Sequence, residues 1–429
     1  MPEPKNHEYW TDLADSLEVK PPKRSIDFKN VERKHEILFV GDNNGSYRGL
    51  LKNLAKLECV QIIFVGDIAT ADELGDKTKT RPHTDITQNI EEYELDSREE
   101  VERFFRSTTI SWTGDDKKLV LLGDILADRN SQGDLVLQAL GLLQGQAKSC
   151  GGQVKVIAGN HDIFWLDTLF EGTSGNKIGI AHVSAPLEEL DPYKIKEETK
   201  NIQGQNYTLK DFDQKKMLAS PAIQRHLELF KALFDVAAVE DDTLIIHADV
   251  DEKEFMSMYK KTEQAFFEKN KFFPSVEEVI TLWNTEFQSV VASSISFLQQ
   301  FSETYSSKKE STLEELAGLE PFFEFFVDDG NVGNVLCGIN PDKRTLVRNP
   351  GKYSATFEKF LSYRGINCLV VGHTSVINPT AHGEIIDIIP IDGMTDKLVP
   401  NKFYSAGKIG MSGEISLHHR DKTYTKRTP

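Results

Sequence analysis

One stretch of the sequence decides the fold: Leu119–Arg129, which reads LVLLGDILADR. Its first four residues are apolar without alternation, which is typical of a strand buried on both faces of a sheet. The apolar run stops at a glycine, and two carboxylates and a guanidinium follow it. In open α/β sheets, ligands bind at the carboxyl ends of such strands. The stretch therefore predicts an α/β fold with a polar site that begins at Asp124.

Five further, largely apolar runs end in polar side chains of the same kinds. They are Ile37–Val40 before Asp42, Gln61–Val65 before Asp67, Val154–Ala158 before Asn160 and His161, Thr243–Ile246 before His247, and Cys368–Val371 before His373. One such run is weak evidence, because Gly-Asp after a strand is an ordinary turn. Their repetition predicts a site at which Asp, Asn and His side chains from several strands meet. Oxygen and nitrogen donors without thiolates suit Mn²⁺, Fe²⁺ or Zn²⁺.

The composition narrows the classes of function. The 429-residue chain carries a net charge of −17, which argues against binding to nucleic acids or anionic membranes, because these require clustered Lys and Arg. No run approaches the roughly 18 apolar residues of a membrane span, and the N-terminus has no apolar signal-peptide region. We therefore expect a cytoplasmic protein whose four scattered cysteines are free, buried thiols. The sequence indicates no oligomeric state.

The chain is expected to contain one catalytic domain between two polar segments. Residues 1–34 form a lead segment, residues 35–420 the catalytic domain and residues 421–429 a polar tail. Two insertions interrupt the domain: an acidic one at about 70–110, expected to be a solvated helix with loops, and a helical one at about 252–330. In the second insertion, a capping box of Ser275 and Glu278 begins a long helix whose aromatic residues are expected in the core.

The polar residues after the strands suit phosphate ester hydrolysis. Two divalent ions that share a carboxylate and a hydroxide can promote in-line attack on phosphorus, and Asp124 suits the shared carboxylate. His161, next to Asn160, suits protonation of the leaving oxygen, and Asp128 suits fixing the tautomer of its imidazole. Arg129 suits binding of phosphoryl oxygens through its planar guanidinium.

These motifs resemble the signatures of the calcineurin-like metallophosphoesterases, and within them the phosphoprotein phosphatase branch. Gly41–Gly45 resembles GDxHG, Gly123–Asn130 resembles GDxxDRG, Gly159–Asp162 resembles GNHE, His247–Asp249 resembles HGG, and Gly372–Thr374 resembles GHT. The five motifs stand in the family's order, and the resemblance covers roughly residues 37–418 outside the insertions. Trp112–Gly114 is similar to bacterial, Shewanella-like members. The resemblance implies a β-sandwich flanked by helices.

The resemblance also implies a role for each matching residue. Asp42 and Asp124 match ligands of the first metal, with Asn44 at the position of a third, and Asp124, Asn160, His247 and His373 match ligands of the second. His161 matches the general acid, Asp128 its partner and Arg129 a phosphate clamp. Arg348 is placed as a second phosphate-binding arginine, with Arg344 as the alternative. The implied cofactors are two divalent ions, with Mn²⁺ favoured over Fe²⁺ and Zn²⁺.

Three departures from the family pattern affect this site. Asn44 stands where the family has a histidine, and an amide oxygen is a weaker donor for transition metal ions, so we expect weaker binding of the first metal. Ala127 lengthens the second motif by one residue, and Asn130 replaces its glycine. Gly66-Asp67 competes with Gly123-Asp124 for this motif. We prefer Asp124, because only Asp124 is followed by Asp-Arg, a helix and then Gly-Asn-His-Asp.

The sequence favours an enzyme, a metal-dependent phosphoprotein phosphatase. It would hydrolyse phosphomonoesters by in-line attack of a metal-bound hydroxide, with phosphotyrosine slightly favoured over phosphoserine and phosphothreonine, and its partner would be a phosphorylated protein. One alternative is a phosphoesterase for small molecules such as dinucleoside polyphosphates or phosphodiesters. Another is a catalytically weakened pseudophosphatase that binds phosphoproteins, which the change at Asn44 motivates.

Other classes of phosphatase and hydrolase have sequence motifs that this chain lacks. Small-molecule members tend to end in Gly-His-x-His, whereas Gly372–Ser375 reads GHTS. Cysteine-dependent phosphatases need a Cys, five residues and an Arg, and P-loop hydrolases need a Gly-x-x-x-x-Gly-Lys-Ser/Thr motif; neither occurs. The insertions, the missing signal peptide and the bacterial resemblance also fit an effector that a bacterium delivers into a host cell.

Overall fold

The computed structural model of the chain describes residues 33–43, 45–66, 82–93, 95, 97–126, 132–174, 188–202, 205–248, 250–304, 320–326, 331–339, 353–372, 386–390, 405–412, 414–419 and 422–426. The lead segment up to residue 32 lies outside this range. So do seven residues that the sequence placed in or near the site: Asn44, Asp67, Asp128, Arg129, Arg344, Arg348 and His373.

Strands and helices alternate through the described residues. The strands are β1 Ile37–Val40, β2 Val60–Phe64, β3 Thr84–Asp85, β4 Thr108–Trp112, β5 Lys118–Leu121, β6 Gln153–Ile157, β7 Lys194–Ile202, β8 Gln205–Phe212, β9 Phe234–Asp235, β10 Ala237–Glu240, β11 Thr243–Ile246, β12 Cys368–Val371, β13 Asp387–Pro390, β14 Ala406–Ile409, β15 Ile415–His419 and β16 Lys422–Lys426. The α-helices are α1 Tyr47–Lys56, α2 Arg98–Arg106, α3 Gly133–Ser149, α4 Asn160–Ser174, α5 Gln214–Leu218, α6 Pro221–Leu233, α7 Glu252–Asn270, α8 Val276–Thr304, α9 Glu320–Phe326, α10 Val332–Leu336 and α11 Ala355–Ser362. Short 3₁₀ helices cover Thr87–Glu92 and Glu188–Tyr193.

The apolar residues Leu119–Leu121 lie in β5, an interior strand of a seven-stranded sheet. The strand order is β16-β15-β14-β1-β5-β6-β9, and the pairs β1–β5, β5–β6 and β6–β9 are parallel. Val40 lies opposite Leu121, and Leu121 lies opposite Val156, so the three central strands end at one level. The residues that follow them therefore meet at one edge of the sheet.

A second, four-stranded sheet carries the two late histidine motifs. Its order is β10-β11-β12-β13, and β11, β12 and β13 are parallel, with Ile246 opposite Val371. Parallel neighbours again place the carboxyl ends of β11 and β12 side by side. The strands predicted at Thr243–Ile246 and Cys368–Val371 are confirmed.

The two sheets pack face to face through one hydrophobic cluster. Phe39 and Val120 of the first sheet lie in this cluster with Ile245 and Val370 of the second. The alternate residues of the same strands, among them Leu38 and Leu121, belong to a larger cluster that also contains the apolar sides of the helices. Burial on both faces explains why these strands read as continuous apolar runs. The described chain is thus a mixed α/β structure with helices outside two packed sheets.

The run Gln61–Val65 lies outside the two sheets that contain the other five apolar runs. Its strand β2 pairs antiparallel with β3 and β4 in a separate three-stranded sheet. Asp67 lies outside the described residues, so the choice of Asp124 over Asp67 stays a prediction.

The described part of the acidic insertion contributes more apolar residues to the core than its charge indicated. We expected a solvated helix and loops, yet Ile90, Tyr93 and Phe104 are buried in the main core. The helix α2 begins with a capping box of Ser97 and Glu100, and its charged residues occupy the outer side. The insertion is amphipathic, and its apolar residues were hidden in the sequence by the surrounding acidic ones.

The second insertion confirms its predicted helix start and its aromatic core. Ser275 N donates to Glu278 Oε2 at 2.7 Å, and Glu278 N donates to Ser275 Oγ at 3.2 Å. Trp283 and Phe287 of α8 are fully buried, and Trp283 Nε1 donates to Thr262 Oγ1 of α7 at 2.9 Å. Trp283 and Phe287 therefore pack in the hydrophobic core, as expected.

Residues 422–426, within the segment predicted as a polar tail, form the edge strand β16, which pairs with β15 and extends the first sheet. The expectation of four buried thiols needs correction. Among the four free cysteines, Cys150 is exposed rather than buried. None of the helices in the described ranges is long and apolar enough to cross a membrane.

Candidate functional site

Three ionisable side chains from both sheets meet where the strands end. Asp42 follows β1, Asp124 follows β5 and His247 follows β11. His247 Nδ1 lies 3.8 Å from Asp42 Oδ1, and His247 Nε2 lies 3.6 Å from Asp124 Oδ1. All three residues are almost completely buried. Two buried carboxylates on either side of one imidazole are stabilised by positive charge or by hydrogen-bond donors.

The orientation of His247 is set by a backbone contact. Its Nδ1 is hydrogen-bonded to the carbonyl oxygen of Leu122, the residue after β5. A carbonyl can only accept, so Nδ1 carries the hydrogen and Nε2 of the neutral ring keeps its lone pair. That lone pair is on the nitrogen that faces Asp124. A histidine that ligates a metal through one nitrogen and donates to a carbonyl through the other has this arrangement.

The loop that carries Asp124 has an unusual backbone. Gly123 and Asp124 both have positive φ, at 95° and 51°. Aspartate tolerates this left-handed conformation better than most residues, although it still needs support from its surroundings. Part of this support comes from hydrogen bonds between the loop backbone and one side chain, that of Asp162.

Asp162 binds the backbone of the Asp124 loop with both carboxylate oxygens. Oδ1 accepts from the N–H groups of Ile125 and Leu126 at 2.9 and 2.8 Å. Oδ2 accepts from the N–H groups of Asp124 and Gly159, each at 2.9 Å. In the sequence, Asp162 stands where the motif GNHE has its glutamate, and no role was predicted for it. Its position at the start of α4, beside Asn160 and His161, was the available signal for this positioning role.

The electrostatics around Asp162 favour a nearby cation. Burial raises the pKa of the Asp162 carboxyl to about 7; the charge of Asp124 adds to the rise, and the backbone N–H donors oppose it. The same repulsion acts on Asp124. A positive ion bound beside Asp124 would offset both the burial and the repulsion.

Glycines allow the strand ends to approach so closely. A Cβ atom on Gly159 would lie 2.2 Å from Asp124 Oδ1 and 2.6 Å from His247 Cε1. A Cβ on Gly372 would lie 2.7 Å from Asp42 Oδ1, and Gly372 N donates to His247 O at 2.9 Å. The glycines of these motifs are therefore required by contacts between the two sheets.

Asn160 and His161 begin helix α4 next to Asp124. Asn160 is completely buried, and within the described part of the chain neither its Oδ1 nor its Nδ2 has a hydrogen-bond partner. The backbone N–H of His161 donates to Asp124 Oδ1 at 3.1 Å. The half-buried ring of His161 packs edge-on against Phe164 at 5.8 Å. A buried amide without a partner costs free energy unless it binds something.

These residues fit a divalent cation by their chemistry. Asp42, Asp124, Asn160 and His247 supply two carboxylates, an amide and an imidazole nitrogen, which are donors for Mn²⁺, Fe²⁺ or Zn²⁺. The amide of Asn160 lacks a partner, and His247 Nε2 faces the oxygen of Asp124. In the described ranges, no group of three or more His, Cys, Asp and Glu side chains forms a metal site by itself. The predicted ligands Asn44 and His373 lie outside those ranges.

The structure thus brings together four predicted ligands and His161. Asp42, Asp124 and His247 lie together, and Asn160 and His161 begin α4 beside them, where the backbone N–H of His161 donates to Asp124. The roles of Asn44, Asp128, Arg129, Arg348 and His373 stay predictions, because these residues are outside the described chain.

Comparisons with known proteins give structural neighbours only. No protein-family model matches the chain, and no curated protein sequence matches it. A cold-active protein-tyrosine phosphatase of a psychrophilic Shewanella species is similar with a TM-score of 0.46 and 12% identity, over 95% of this chain and 86% of that one. The phosphatase domain from the Legionella effector WipB is similar with a TM-score of 0.33 and 13% identity, over 68% of this chain and 93% of that one. At such scores, the case for a function rests on the chain's own residues.

Proposed function

We propose that the chain is a metal-dependent phosphoprotein phosphatase of the calcineurin-like type, which hydrolyses phosphomonoesters. The observation that carries the proposal is the meeting of Asp42, Asp124 and His247 beside the strand end that carries the buried, unpartnered amide of Asn160. These groups come from four separate strand ends in two sheets. Packing alone would not require four polar donors to gather at one buried point.

Asp42, Asp124, Asn160 and His247 would hold the metal ions, together with Asn44 and His373. Bound divalent ions supply a Lewis acid for the phosphoryl oxygens and an activated water as nucleophile. The chain's own part is to hold the donors in position. Asp162 fixes the Asp124 loop, and the Leu122 carbonyl fixes the tautomer of His247.

His161 is proposed to protonate the leaving oxygen of the substrate. Its backbone N–H is bonded to Asp124, and its ring is half-buried, so the imidazole lies beside the site without being sealed in the core. Imidazole is suited to proton transfer near neutral pH. Asp128 is proposed to orient this ring, and Arg129 and Arg348 to bind the phosphoryl group.

Phosphotyrosine is proposed as the favoured substrate over phosphoserine and phosphothreonine. The support is the resemblance of Trp112–Gly114 to bacterial members of the family. Initial rates on phosphotyrosine and phosphoserine versions of one peptide test this preference. Faster hydrolysis of the phosphoserine peptide would reverse it, and faster hydrolysis of a dinucleoside polyphosphate than of either peptide would favour the small-molecule alternative.

The activity itself is tested with a phenyl phosphate ester and the variant Asp124→Asn. We expect EDTA to abolish hydrolysis, Mn²⁺ to restore it, and Asp124→Asn to lower kcat/KM by at least about 100-fold through lost metal binding. Elemental analysis of the purified protein reports bound metal independently of turnover.

Asp115→Asn is the matched control for this substitution. Asp115 has a φ of 50°, close to the 51° of Asp124, but its side chain is exposed and outside the site. Its replacement should leave the rate unchanged. Equal rates for wild type and Asp124→Asn, or no metal and no Mn²⁺-stimulated turnover, would overturn the proposed function.

A further inference from the structure

A cavity of about 420 Å³ opens at the far end of the second sheet from the candidate site. Its lining includes Asp241, Pro274, Glu277, Tyr363 and Arg364. Asp241 lies in the turn before β11, whereas His247 lies just after it. The four-residue strand β11 separates the two, which corresponds to roughly 13 Å of extended chain. The cavity is thus a separate feature of the surface, and the proposed phosphatase chemistry does not use it.

Three exposed aromatic side chains line this cavity or adjoin its lining in the chain. Tyr363, at the end of α11, lines it and is 77% exposed. Phe272 and Phe273 directly precede the lining residue Pro274 in the connection between α7 and α8, and they are 55% and 65% exposed. We call these three residues the aromatic rim. Large aromatics that are this exposed are typical of interaction surfaces.

The aromatic rim is held in place by its neighbours. Phe272 packs edge-on against Phe266 of α7 with ring centroids 5.3 Å apart. Phe273 stacks on Phe267 at 4.7 Å. A surface that is ordered before binding loses less conformational entropy when a partner docks. The rings of Phe272 and Phe273 are therefore held by packing while they stay exposed to solvent.

The charge in the cavity is negative. Arg364 is the one cation that lines it within the described chain, and its guanidinium is bonded to both carboxylate oxygens of Glu263, at 2.8 and 3.0 Å. The guanidinium also lies 3.8 Å above the ring of Phe360. With Arg364 neutralised by Glu263, Asp241 and Glu277 leave a net negative lining. This formal charge fits a cationic side chain.

We propose that the cavity and the aromatic rim form a docking site for a peptide segment of a partner protein that carries arginine beside aromatic residues. The arginine enters the cavity, where it pairs with Asp241 and Glu277 and stacks on Tyr363. The neighbouring aromatic side chains pack on Phe272 and Phe273. The proposal does not depend on the catalytic activity of the protein.

Fluorescence anisotropy with a designed peptide tests the docking site on the full-length protein. The probe is a nine-residue, fluorescein-labelled peptide in which arginine alternates with phenylalanine, flanked by glycine. Two comparison peptides carry glutamate in place of arginine or serine in place of phenylalanine. We expect the first peptide to bind and both comparison peptides to bind at least about fivefold more weakly.

Variants of the protein locate the binding. Glu277→Gln should weaken binding of the arginine peptide about fivefold by removing one charge from the lining. The double variant Phe272→Ser/Phe273→Ser should weaken it about tenfold by removing apolar contact area. Leu142→Ser is the matched control, because Leu142 is 56% exposed on α3 and does not line the cavity. It should bind as wild type does.

The outcomes separate this proposal from its rivals and from the proposed function. Equal binding of the arginine and glutamate peptides, or unchanged binding by both rim and lining variants, would overturn the docking site. So would sedimentation that shows the aromatic rim occupied by a second copy of the chain, or vesicle binding that depends on Phe272 and Phe273. Asp124→Asn should bind the peptide normally, so a failure of the phosphatase proposal leaves this result intact.

Discussion

The substitution Asp162→Asn tests the central structural reasoning about the site. The Asp162 carboxylate uses both oxygens, each of which accepts from two backbone N–H groups at 2.8–2.9 Å. An asparagine keeps one acceptor oxygen and turns the other end of the group into an NH₂ donor. Two of the four N–H groups then face a donor in the buried interior.

The expected cost follows from that count. Each buried N–H that loses its acceptor costs about 1–3 kcal/mol, so the variant should lose about 2–6 kcal/mol of unfolding free energy. The loop with positive φ at Asp124 depends on these bonds, so metal content and phosphatase activity should fall as well. Urea unfolding followed by circular dichroism measures the first effect, and elemental analysis and initial rates measure the second.

Asp251→Asn is the matched control for this prediction. Asp251 caps α7 and also accepts two backbone N–H bonds, from Lys253 and Glu254, but through one oxygen, Oδ1. Asparagine keeps that oxygen and caps helices as well as aspartate does, so a change of no more than about 0.5 kcal/mol is expected. If Asp162→Asn and Asp251→Asn unfold at the same urea concentration, the proposed role of Asp162 is wrong.

Three further substitutions probe the close approach, the helix start and the core. Gly159→Ala places a Cβ 2.2 Å from Asp124 Oδ1, so we expect about a 100-fold loss of phosphatase rate, and a rate within twofold of wild type would contradict the packing described. Ser275→Ala removes the capping bond to Glu278 N and should cost about 1 kcal/mol in thermal unfolding with unchanged activity; a wild-type melting temperature would refute it. Trp283→Ala empties a fully buried site and should cost about 3–5 kcal/mol, measured by urea unfolding, whereas a loss below 1 kcal/mol would show that the core closes around the gap.

Much of the fold could be predicted because its signals are local. The strands around Val40, Leu121, Val156, Ile246 and Val371 were each visible as an apolar run with a polar end. The capping box at the start of α8 was equally visible, because it needs only two residues three positions apart. Burial of the acidic insertion was missed, since its apolar residues are diluted by charge.

The candidate site was predicted in part. Asp42, Asp124 and His247 meet as the strand ends indicated, with the start of α4 beside Asp124, because parallel strands place their carboxyl ends together. The role of Asp162 was missed, since its four partners lie in two segments and no sequence spacing brings them together. The docking site was missed for the same reason: Asp241, Glu277 and Tyr363 are far apart in sequence.

By itself, the sequence determined which residues form buried strands, where those strands end and which polar side chains follow them. These properties depend on the apolar character and the backbone preferences of residues that are neighbours in the chain. Only the tertiary structure decided which strands lie together. The run before Gly66 reads like the run before Gly123, yet one joins an antiparallel sheet and the other the parallel centre. Sheet partners are chosen by contacts between residues far apart in the chain, and those contacts also bring His247 from the second sheet to Asp124 of the first.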